Sequence, residues 1–395
     1  MEKPNLLENI MQRNTQKPWK IIAASLVAMT SYLNADYDNA QVRNLENRVN
    51  ALEQKKGANG MINPNGRPEV RDGADLFLTA DVLLWQAHEG GLGYAIKSHK
   101  NNFLTGNGNF AELLNHTDVE NPHFDYDWGF RIGAGYNTAH DGWDLYAAWT
   151  RIHLHANGHT QVPADRSKAT WPTFIPSNAT AFNEGSFANY GKIDAHWRLH
   201  LNIIDLELGR EFFTSKWLTL RPHFGLRTGW IYQRYDIYYK KSFIFDPMLI
   251  IKDGKTAIDM KNNFWGLGPR LGLDTQWAIG SGFSFFGNAS ISLLYGFFQT
   301  AFHQLTREAN GIGFPYASTH NSFRQSTAIT DLQLGLRWDH MFDNDRFHFG
   351  LQAGWEHHKF FSQNHFTRYV TQNQFVVNQG NLTTQGWTLS ARFDF

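Results

Sequence analysis

Hydrophobic and polar residues alternate without a break through the last ten residues of the chain, 386–395. Successive side chains of a β-strand point to opposite faces, so the segment is predicted to form a strand with one apolar face. About ten residues suffice for a tilted strand to cross a bilayer, and aromatic ends suit the girdles of an outer-membrane barrel. The apolar face comprises Trp387, Leu389, Ala391, Phe393 and Phe395. We interpret the terminal Phe395 as a membrane-insertion signal.

The same alternation recurs along the chain, and this recurrence indicates the fold class. A soluble β-sandwich also alternates, but with shorter strands. Long alternating strands with aromatic ends are typical of transmembrane barrels, weakly when taken singly and strongly as a set. The sequence therefore predicts an all-β, antiparallel transmembrane β-barrel. The further strands are expected near 75–85, 124–136, 143–153, 192–211, 217–235, 265–277, 283–298, 328–342 and 346–357.

The connections between these segments alternate in length, as in outer-membrane barrels with short periplasmic turns and long external loops. Short turns are predicted at 138–142, 212–216, 278–282 and 343–345. Long connections are predicted at 86–123, 154–191, 236–262, 299–327 and 358–385. With both termini in the periplasm this arrangement gives ten strands. Twelve strands are the alternative, if 91–98 and 242–251 also enter the barrel. A β-bulge is expected at Ile203 and Ile204, where the apolar phase slips.

The N-terminal region precedes the barrel as three segments. Residues 1–35 are interpreted as a signal peptide, because basic residues precede the short apolar run 21–29 and Ala35 fits a cleavage position. Residues 36–56 are predicted to form a short helical, coiled-coil stub, with a frayed helix as the equal alternative. Residues 57–74 are a turn-rich linker, and residues 75–395 form the barrel. The heptad positions of the stub are Val42, Leu45, Val49 and Leu52.

Composition agrees with this interpretation. The 36 basic and 36 acidic side chains balance, so no excess charge favours nucleic acid as a partner. Cysteine is absent, which excludes disulfides and thiolate metal sites. The expected partners are outer-membrane lipid, the barrel-assembly machinery and, through the stub, two further copies in a homotrimer.

Several segments resemble the MOMP-like, Legionella-type family of pore-forming outer-membrane proteins. The resemblance covers about residues 75–395 and implies an outer-membrane barrel that acts as a porin in legionellae or chlamydia-like bacteria. The disulfides of cysteine-rich chlamydial members do not carry over, since this chain has no cysteine. The segments that carry the resemblance are 75–87, 142–151, 206–211, 220–227 and 265–270, together with Phe395.

The phase of the alternation predicts which charged residues line the lumen. Their signs are mixed, so we expect weak ion selectivity, slightly in favour of cations. Inward glycines are expected to leave room for water; the alternative is a barrel plugged by its own side chains. The predicted pore-lining residues are Asp81, Asp125, Asp127, Arg131, Arg198, Asp205, Glu207, Arg221, Arg227, Arg270, Asp274, Asp331, Arg337, Asp339 and Arg392, with Asp144 and Asp394 as further acidic counterparts.

The evidence for a metal site or a catalytic site in the sequence is weaker. The alternating His153, His155 and His159 and the pair His357–His358 have no carboxylate or cysteine spacing that completes a metal site. Serine and histidine near 303–326 lack a third partner for nucleophilic catalysis. We therefore predict no enzyme activity, no cofactor and no metal. Aromatic residues of the 154–191 connection enter the lumen as a constriction, form a recognition surface or, as the favoured alternative, pack within the loop: Trp171, Phe174, Phe182 and Phe187.

The sequence thus predicts a porin for passive diffusion of small hydrophilic solutes. The alternative is a structural or adhesive surface barrel whose long external loops bind host or envelope partners.

Overall fold

The computed structural model describes residues 63–71, 73–98, 117–138, 142–161, 169–174, 188–244, 252–307, 313–371 and 374–395. The predicted signal peptide and coiled-coil stub lie outside the described residues, as do Phe182 and Phe187. Within the described ranges, no helix is long and apolar enough to cross a membrane.

Ten long strands pair antiparallel, each with its neighbours in sequence. The last strand pairs with the first, from Phe77 opposite Asp394 to Glu89 opposite Leu382, and this pairing closes the barrel. The predicted all-β fold and the count of ten strands are confirmed. The strands are β1 (Leu76–Glu89), β2 (Tyr126–Asn137), β3 (Trp143–Gln161), β4 (Ala188–Arg210), β5 (Leu218–Ile244), β6 (Lys252–Gly280), β7 (Phe283–Arg307), β8 (Gly313–Phe342), β9 (Phe347–Asn364) and β10 (Gly380–Asp394).

The alternative of twelve barrel strands is wrong. The segment Ala95–Ser98 is a strand, but it belongs to a separate external sheet with Thr117–Glu120 and Ala169–Pro172. The suspected segment 242–251 begins as the continuation of β5. Two short strands, His123–Phe124 and Phe212–Phe213, only extend the edges of the main sheet.

The predicted short turns join the strands at one end of the barrel, which we assign to the periplasm. Asp343, Asn344 and Asp345 adopt positive φ angles of 53°, 55° and 66° in the tightest of these turns. Asn and Asp tolerate this left-handed conformation better than most residues. The short connection predicted from their sequence is therefore confirmed.

Two of the predicted long loops are largely strand. Pairing between β5 and β6 continues to Lys240 opposite Lys255, and pairing between β7 and β8 continues to Arg307 opposite Gly313. The expectation of long loops at 236–262 and 299–327 is thus wrong. The ladder continues there although the outward residues become polar, so hydrophobic alternation stops before the strand does.

The predicted β-bulge at Ile203 and Ile204 is also wrong. The register of β4 is continuous past both residues, with Ile204 opposite Trp149 and Thr228. Ile203 faces inward and is buried, whereas Ile204 faces outward and is 42% exposed. The apolar residues of β4 move from the outward to the inward positions here, because the apolar surroundings of the strand change from its outer to its inner face. Below Ile204 lipid lies outside the wall, and above it an apolar core lies inside.

The same change divides the whole barrel into two zones. In the membrane zone the outward residues are apolar and the inward residues are polar, whereas in the external zone the order is reversed. Outward tryptophans mark the boundary, as expected of an aromatic girdle. These tryptophans are Trp128, Trp149, Trp230, Trp265, Trp355 and Trp387. A second aromatic belt, at the periplasmic end, comprises Tyr136, Trp143, Trp217, Trp277, Phe283 and Phe342.

The described part of the linker, residues 63–71, runs along the periplasmic turns. The Arg67 guanidinium donates hydrogen bonds to the carbonyls of Trp143 at 3.0 Å and Thr138 at 2.9 Å. The backbone N–H of Gly66 bonds the carbonyl of Glu211, and that of Arg71 bonds the carbonyl of Asp345. Both ends of this segment are therefore attached to the barrel.

The two zones predict opposite responses to a charge on the same face of one strand. Ile291 and Gln299 both point outward from β7, with Ile291 54% exposed within the lipid-facing band and Gln299 above Phe297. We expect Ile291→Arg to lower the free energy of unfolding by about 2–4 kcal/mol, because arginine is costly near the bilayer midplane. Denaturant unfolding in lipid vesicles, followed by tryptophan fluorescence, measures this difference. The matched variant Gln299→Arg should unfold within about 1 kcal/mol of the parent; equal losses for both variants would contradict the zone assignment.

Candidate functional site

The lumen of the membrane zone contains a continuous network of ion pairs. At its centre Arg227 on β5 is almost fully buried and forms a bidentate pair with Asp205 on β4, at 2.6 and 3.0 Å. The same guanidinium reaches Asp331 on β8 at 2.7 Å. Arg270 on β6 contacts Glu207 and bonds Ser290. Each arginine thus connects strands that are not neighbours in the wall.

Arg131 on β2 forms a second cluster beside the first. It donates to Asp81 on β1 at 3.0 Å and to Glu356 on β9 at 2.7 Å. His358 connects the two clusters, because one ring nitrogen lies 2.8 Å from Asp331 and the other lies 3.0 Å from Glu356. His358 joins the two clusters locally, since Asp331 lies directly opposite it on the neighbouring strand and Glu356 lies two residues away on its own strand.

Two further clusters lie nearer the periplasm. Arg221 on β5 bonds Asp144 at 2.6 Å and Asp274 at 2.9 Å. On β8, β9 and β10, the ring of His348 lies between Asp339 at 2.9 Å and Asp394 at 2.6 Å. Arg337 and Arg392 donate to these same two carboxylates. Opposite charges alternate at every level, so the described lumen shows no ring of one sign.

A polar cavity of about 240 Å³ lies within this network. Its walls carry Arg131, Arg221 and Asp274, and its apolar residues include Leu201 and Phe360. The cavity is smaller than the inward glycines predict. Aromatic rings occupy the space beside several glycines: Phe77 lies against Gly135, Tyr146 against Gly133, His223 against Gly272 and Phe264 against Gly266. Glycine at these positions accommodates a neighbouring ring instead of water.

The lumen of the external zone is filled by an apolar core, which we call the plug. Inward residues of the strands contribute most of it, and loop residues enter from above. Phe174 is among them, so the expectation that an aromatic of the 154–191 connection enters the lumen is met at this position. The largest fully buried members are Trp85, Trp197, Tyr94, Tyr235, Tyr239, Phe174, Phe264, Phe298, Phe302, Phe360 and Phe366.

Polar side chains hold the loop part of the plug, residues 90–94, in place. The hydroxyls of Tyr235 and Tyr239 donate to the carbonyls of Leu92 at 2.6 Å and Tyr94 at 3.0 Å. The remaining three carbonyls of the loop also accept bonds from side chains. Their donors are Asn364 to Gly90, Asn378 to Gly91 and Thr173 to Gly93. At the two ends of the loop, the backbone N–H of Gly90 also bonds the carbonyl of Asn381 and that of Tyr94 bonds the carbonyl of Glu120.

Most of the predicted pore-lining residues lie on the inward face, and the network joins them. Arg198 is an exception, because it points outward in the external zone and pairs with Asp236 at 2.6 Å. It lies above the phase reversal, so extrapolating the alternation placed it on the wrong face. Asp125 and Asp127 instead contact His155 of β3, at 3.6 and 2.7 Å. The residues brought together inside are Asp81, Arg131, Asp205, Glu207, Arg221, Arg227, Arg270, Asp274, Asp331, Arg337, Asp339 and Arg392.

Sequence reasoning missed the contributions of β9. The inward face of this strand carries His348, Glu356 and His358. Counting alternate residues along the predicted strand 346–357 would have placed His348 and Glu356 on that face. His358 lies one residue beyond the predicted strand. Its neighbour His357 points outward, so the two histidines do not act as a pair.

Several other histidines lie on the outer wall of the external zone. The rings of His153 and His200 stack at 4.1 Å, and His159 lies 2.7 Å from Asp194. His303 lies 3.0 Å from the Ser318 hydroxyl. The described ranges contain no group of three or more His, Cys, Asp or Glu residues that could hold a metal ion.

Comparison with known proteins decides the family. Residues 67–395 match the family model described as Legionella pneumophila major outer membrane protein precursor. The chain belongs to this family. Membership agrees with the closed barrel and its two girdles, and it places the protein in the bacterial outer membrane. The resemblance found in the sequence is therefore confirmed. A search of the curated proteins found no match.

Solved structures with a related fold are distant. The outer membrane protease OmpT from Escherichia coli is 12% identical, with 83% of this chain and 99% of that chain covered and a TM-score of 0.38. A major outer membrane protein from Thermus thermophilus is 9% identical, with coverages of 81% and 99% and a TM-score of 0.26. The toluene transporter TodX from P. putida is 7% identical, with coverages of 84% and 93% and a TM-score of 0.23. These scores are too low to transfer any activity.

The central arginine predicts a large loss of stability when its positive charge is removed. Arg227→Leu leaves the Asp205 and Asp331 carboxylates without their shared partner, so the free energy of unfolding should fall by about 3–5 kcal/mol. Arg324→Leu, on the exposed outer wall of β8, serves as the matched control and should change it by about 0.5 kcal/mol or less.

Denaturant unfolding of both variants, read from the heat-modifiable gel mobility of the barrel, makes the comparison. Adding Asp205→Asn and Asp331→Asn to Arg227→Leu should restore part of the loss, because the uncompensated charges disappear. A loss that persists unchanged in the triple variant would show that packing around Arg227, and not charge pairing, stabilises the lumen.

Proposed function

We propose that this outer-membrane protein is a gated diffusion channel for small hydrophilic solutes, with the plug closing the resting state. The observation that carries the proposal is the charged cavity of about 240 Å³ inside the membrane zone. Buried charges that only stabilise a wall can pair without a cavity between them. Here Arg131, Arg221 and Asp274 of different clusters line one cavity, which leaves space for water and small polar solutes beside the ion pairs.

The mixed signs of the network support weak ion selectivity. Arg131, Arg221 and Arg227 each contact carboxylates from at least two other strands. Selective pores use rings of one charge sign, whereas alternating signs leave little net field along the axis. Small solutes of either charge should therefore pass once the channel is open, with no chemical step and no cofactor.

The plug has the properties of a gate. It is apolar, so it excludes hydrated solutes. Its loop part is attached by single hydrogen bonds, such as those from Tyr235 and Tyr239, each with a modest net contribution to stability of about 1 kcal/mol. The loop can therefore leave the lumen without breaking the barrel ladder.

A second candidate function is a surface barrel that binds host or envelope partners. The observation in its favour is the external zone itself, where the lumen is filled and strands continue well above the girdle. The hairpin of Thr367–Thr371 and Gln374–Val377 also exposes apolar side chains, including Phe375 at 57%. In this function the plug would support the external surface permanently.

The channel proposal predicts that loosening the plug increases conductance. Leu92 and Tyr94 are each 1% exposed within the plug. We expect the parent protein to give rare or brief single-channel openings in a planar bilayer. The double variant Leu92→Ser/Tyr94→Ser should give frequent, discrete openings, because both side chains lose their apolar contacts.

The matched control is Val119→Ser, an exposed residue of the adjoining external sheet, which should behave like the parent. A salt gradient across the bilayer should give a reversal potential near zero, as weak selectivity requires. If the double variant remains silent while its gel mobility shows a folded barrel, the channel proposal is wrong and the surface barrel is favoured.

A further inference from the structure

A polar centre is buried in the middle of the otherwise apolar plug. Glu89, the last residue of β1, is 3% exposed, Gln233 on β5 is 1% exposed, and Asn262 on β6 and Gln363 on β9 are fully buried. Burying polar groups in an apolar environment is costly unless each finds a partner. Four of them at one place therefore require an explanation.

These residues converge from different sides of the barrel. The Gln233 amide donates to one Glu89 oxygen, Oε1, at 3.1 Å and so connects β1 with β5 across the lumen. Gln233 and Asn262 are directly opposite each other on paired strands, and both face inward. The Asn262 amide donates to the backbone carbonyl of Gln363 at 2.7 Å. The four residues thus form one contiguous group.

The N–H groups of Gln233 and Asn262 are used in these bonds, but the oxygen atoms beside them are not. Within the described residues, Glu89 Oε2, Gln233 Oε1 and Asn262 Oδ1 are buried without a hydrogen-bond partner, and so is the side-chain amide of Gln363. Nearly all buried polar atoms in proteins have a partner, and each exception costs about 1–3 kcal/mol. The two amide oxygens can only accept, and the Glu89 oxygen can only accept when the carboxyl is ionised. Beside Glu89, the Trp197 indole N–H is a buried donor without a well-aligned partner, so it can satisfy the carboxyl only in part, and the amide oxygens still require a donor or a cation.

The burial of Glu89 makes its ionised form dependent on a neighbouring positive charge. Burial raises the pKa of its carboxyl to about 8, and the nearby Gln233 and Trp197 side chains only partly oppose this effect. Glu89 lies in the external zone, above the lipid-facing residues of β1. An ionised carboxylate is stable in such an apolar site only beside a positive charge.

We propose that the plug binds a hard metal cation, with Ca²⁺ as the preferred ion, between the side-chain oxygens of Glu89, Gln233 and Asn262. Carboxylate and amide oxygens are the ligands that Ca²⁺ takes in proteins, and it tolerates irregular geometry. The side-chain amide of Gln363, also buried without a partner, is a candidate for a further oxygen ligand, and water completes the coordination. Mg²⁺ is disfavoured, because it demands near-octahedral geometry and keeps most of its water.

The position of the site gives the ion a structural role. Glu89 immediately precedes the loop 90–94, whose five carbonyls accept bonds from side chains of the surrounding wall. A cation that joins Glu89 to β5 and β6 fixes the base of this loop. Binding is therefore coupled to the stability of the plug, whether or not the barrel conducts.

Terbium luminescence tests the site directly, since Tb³⁺ replaces Ca²⁺ at oxygen sites and emits when a nearby tryptophan is excited. The Trp197 indole lies beside the Glu89 carboxyl. Refolded protein in detergent should show saturable, tryptophan-sensitised Tb³⁺ emission that Ca²⁺ displaces and Mg²⁺ displaces poorly. Glu89→Gln preserves the shape of the side chain and should weaken Tb³⁺ binding about 100-fold, because the only carboxylate ligand is lost.

Two control variants make the assignment specific. Asp125→Asn removes an exposed carboxylate of the outer wall and should leave the emission unchanged. Trp197→Phe should abolish the emission but retain the increase in Tm on adding Ca²⁺. Asn262→Asp adds a second carboxylate to the site and should tighten Tb³⁺ binding, so the test does not depend on the folding of one variant.

The outcomes separate this proposal from the proposed function. Emission that survives Glu89→Gln unchanged, or that Asp125→Asn abolishes, would place the ion on the surface and overturn the proposal. Absence of both emission and a Ca²⁺-dependent Tm would mean that water or a protonated Glu89 satisfies the centre. Neither readout depends on current through the barrel, so a silent channel with a functional ion site remains distinguishable.

Discussion

The structure depends on one requirement, that every backbone N–H and C=O group within the hydrocarbon region must be paired inside the protein. A sheet meets it only by closing on itself, and here the ladder between β1 and β10 completes the closure. Closing only ten strands leaves a narrow interior. Any charge that points inward must then find an opposite charge across a short distance, which explains why Arg227 is shared between Asp205 and Asp331.

The same ladder continues through two different environments. Around Ile204 the backbone register is unbroken, while the preferred position of apolar side chains changes from the outer to the inner face. Lipid supplies the apolar contacts below this level. Above it the outer wall meets water, so the strands obtain their apolar contacts from one another and from loop residues such as Leu92. The charged network and the plug are thus two consequences of one change in surroundings.

This division also explains how far the sequence was informative. Alternation identified the barrel, its ten strands and its short turns, because period-two patterns are local and repeated. The alternation also led us to place Arg198 inside and to expect a bulge at Ile203. Both predictions were wrong because the pattern alone cannot show that apolar residues face lipid in one zone and the lumen in the other. The plug was open to prediction only in part. Phe174 was a candidate, but the packing of Leu92 and Tyr94 depends on which distant strands face the lumen.

The sequence predicted which charged residues face the lumen, but it did not predict which of them pair with each other. The inward parity identified the arginines and most carboxylates, yet which strands lie opposite each other follows from the curvature of the closed sheet. Arg131 illustrates the limit. It is on the inward face of β2, but its contact with Glu356 depends on how closely β9, which is not a neighbour of β2, approaches across the lumen.

The closing ladder joins the beginning of the barrel to its end, because Phe77 lies opposite Asp394 and the carbonyl of Leu76 accepts from the N–H of Phe395. Contacts between residues so far apart in sequence form slowly, since a long chain segment must first be ordered. The seam therefore cannot form until both β1 and β10 have been synthesised. Until then β1 has an unpaired edge, and unpaired edges promote aggregation. Loss of β10 would therefore expose this edge permanently and leave the cylinder open.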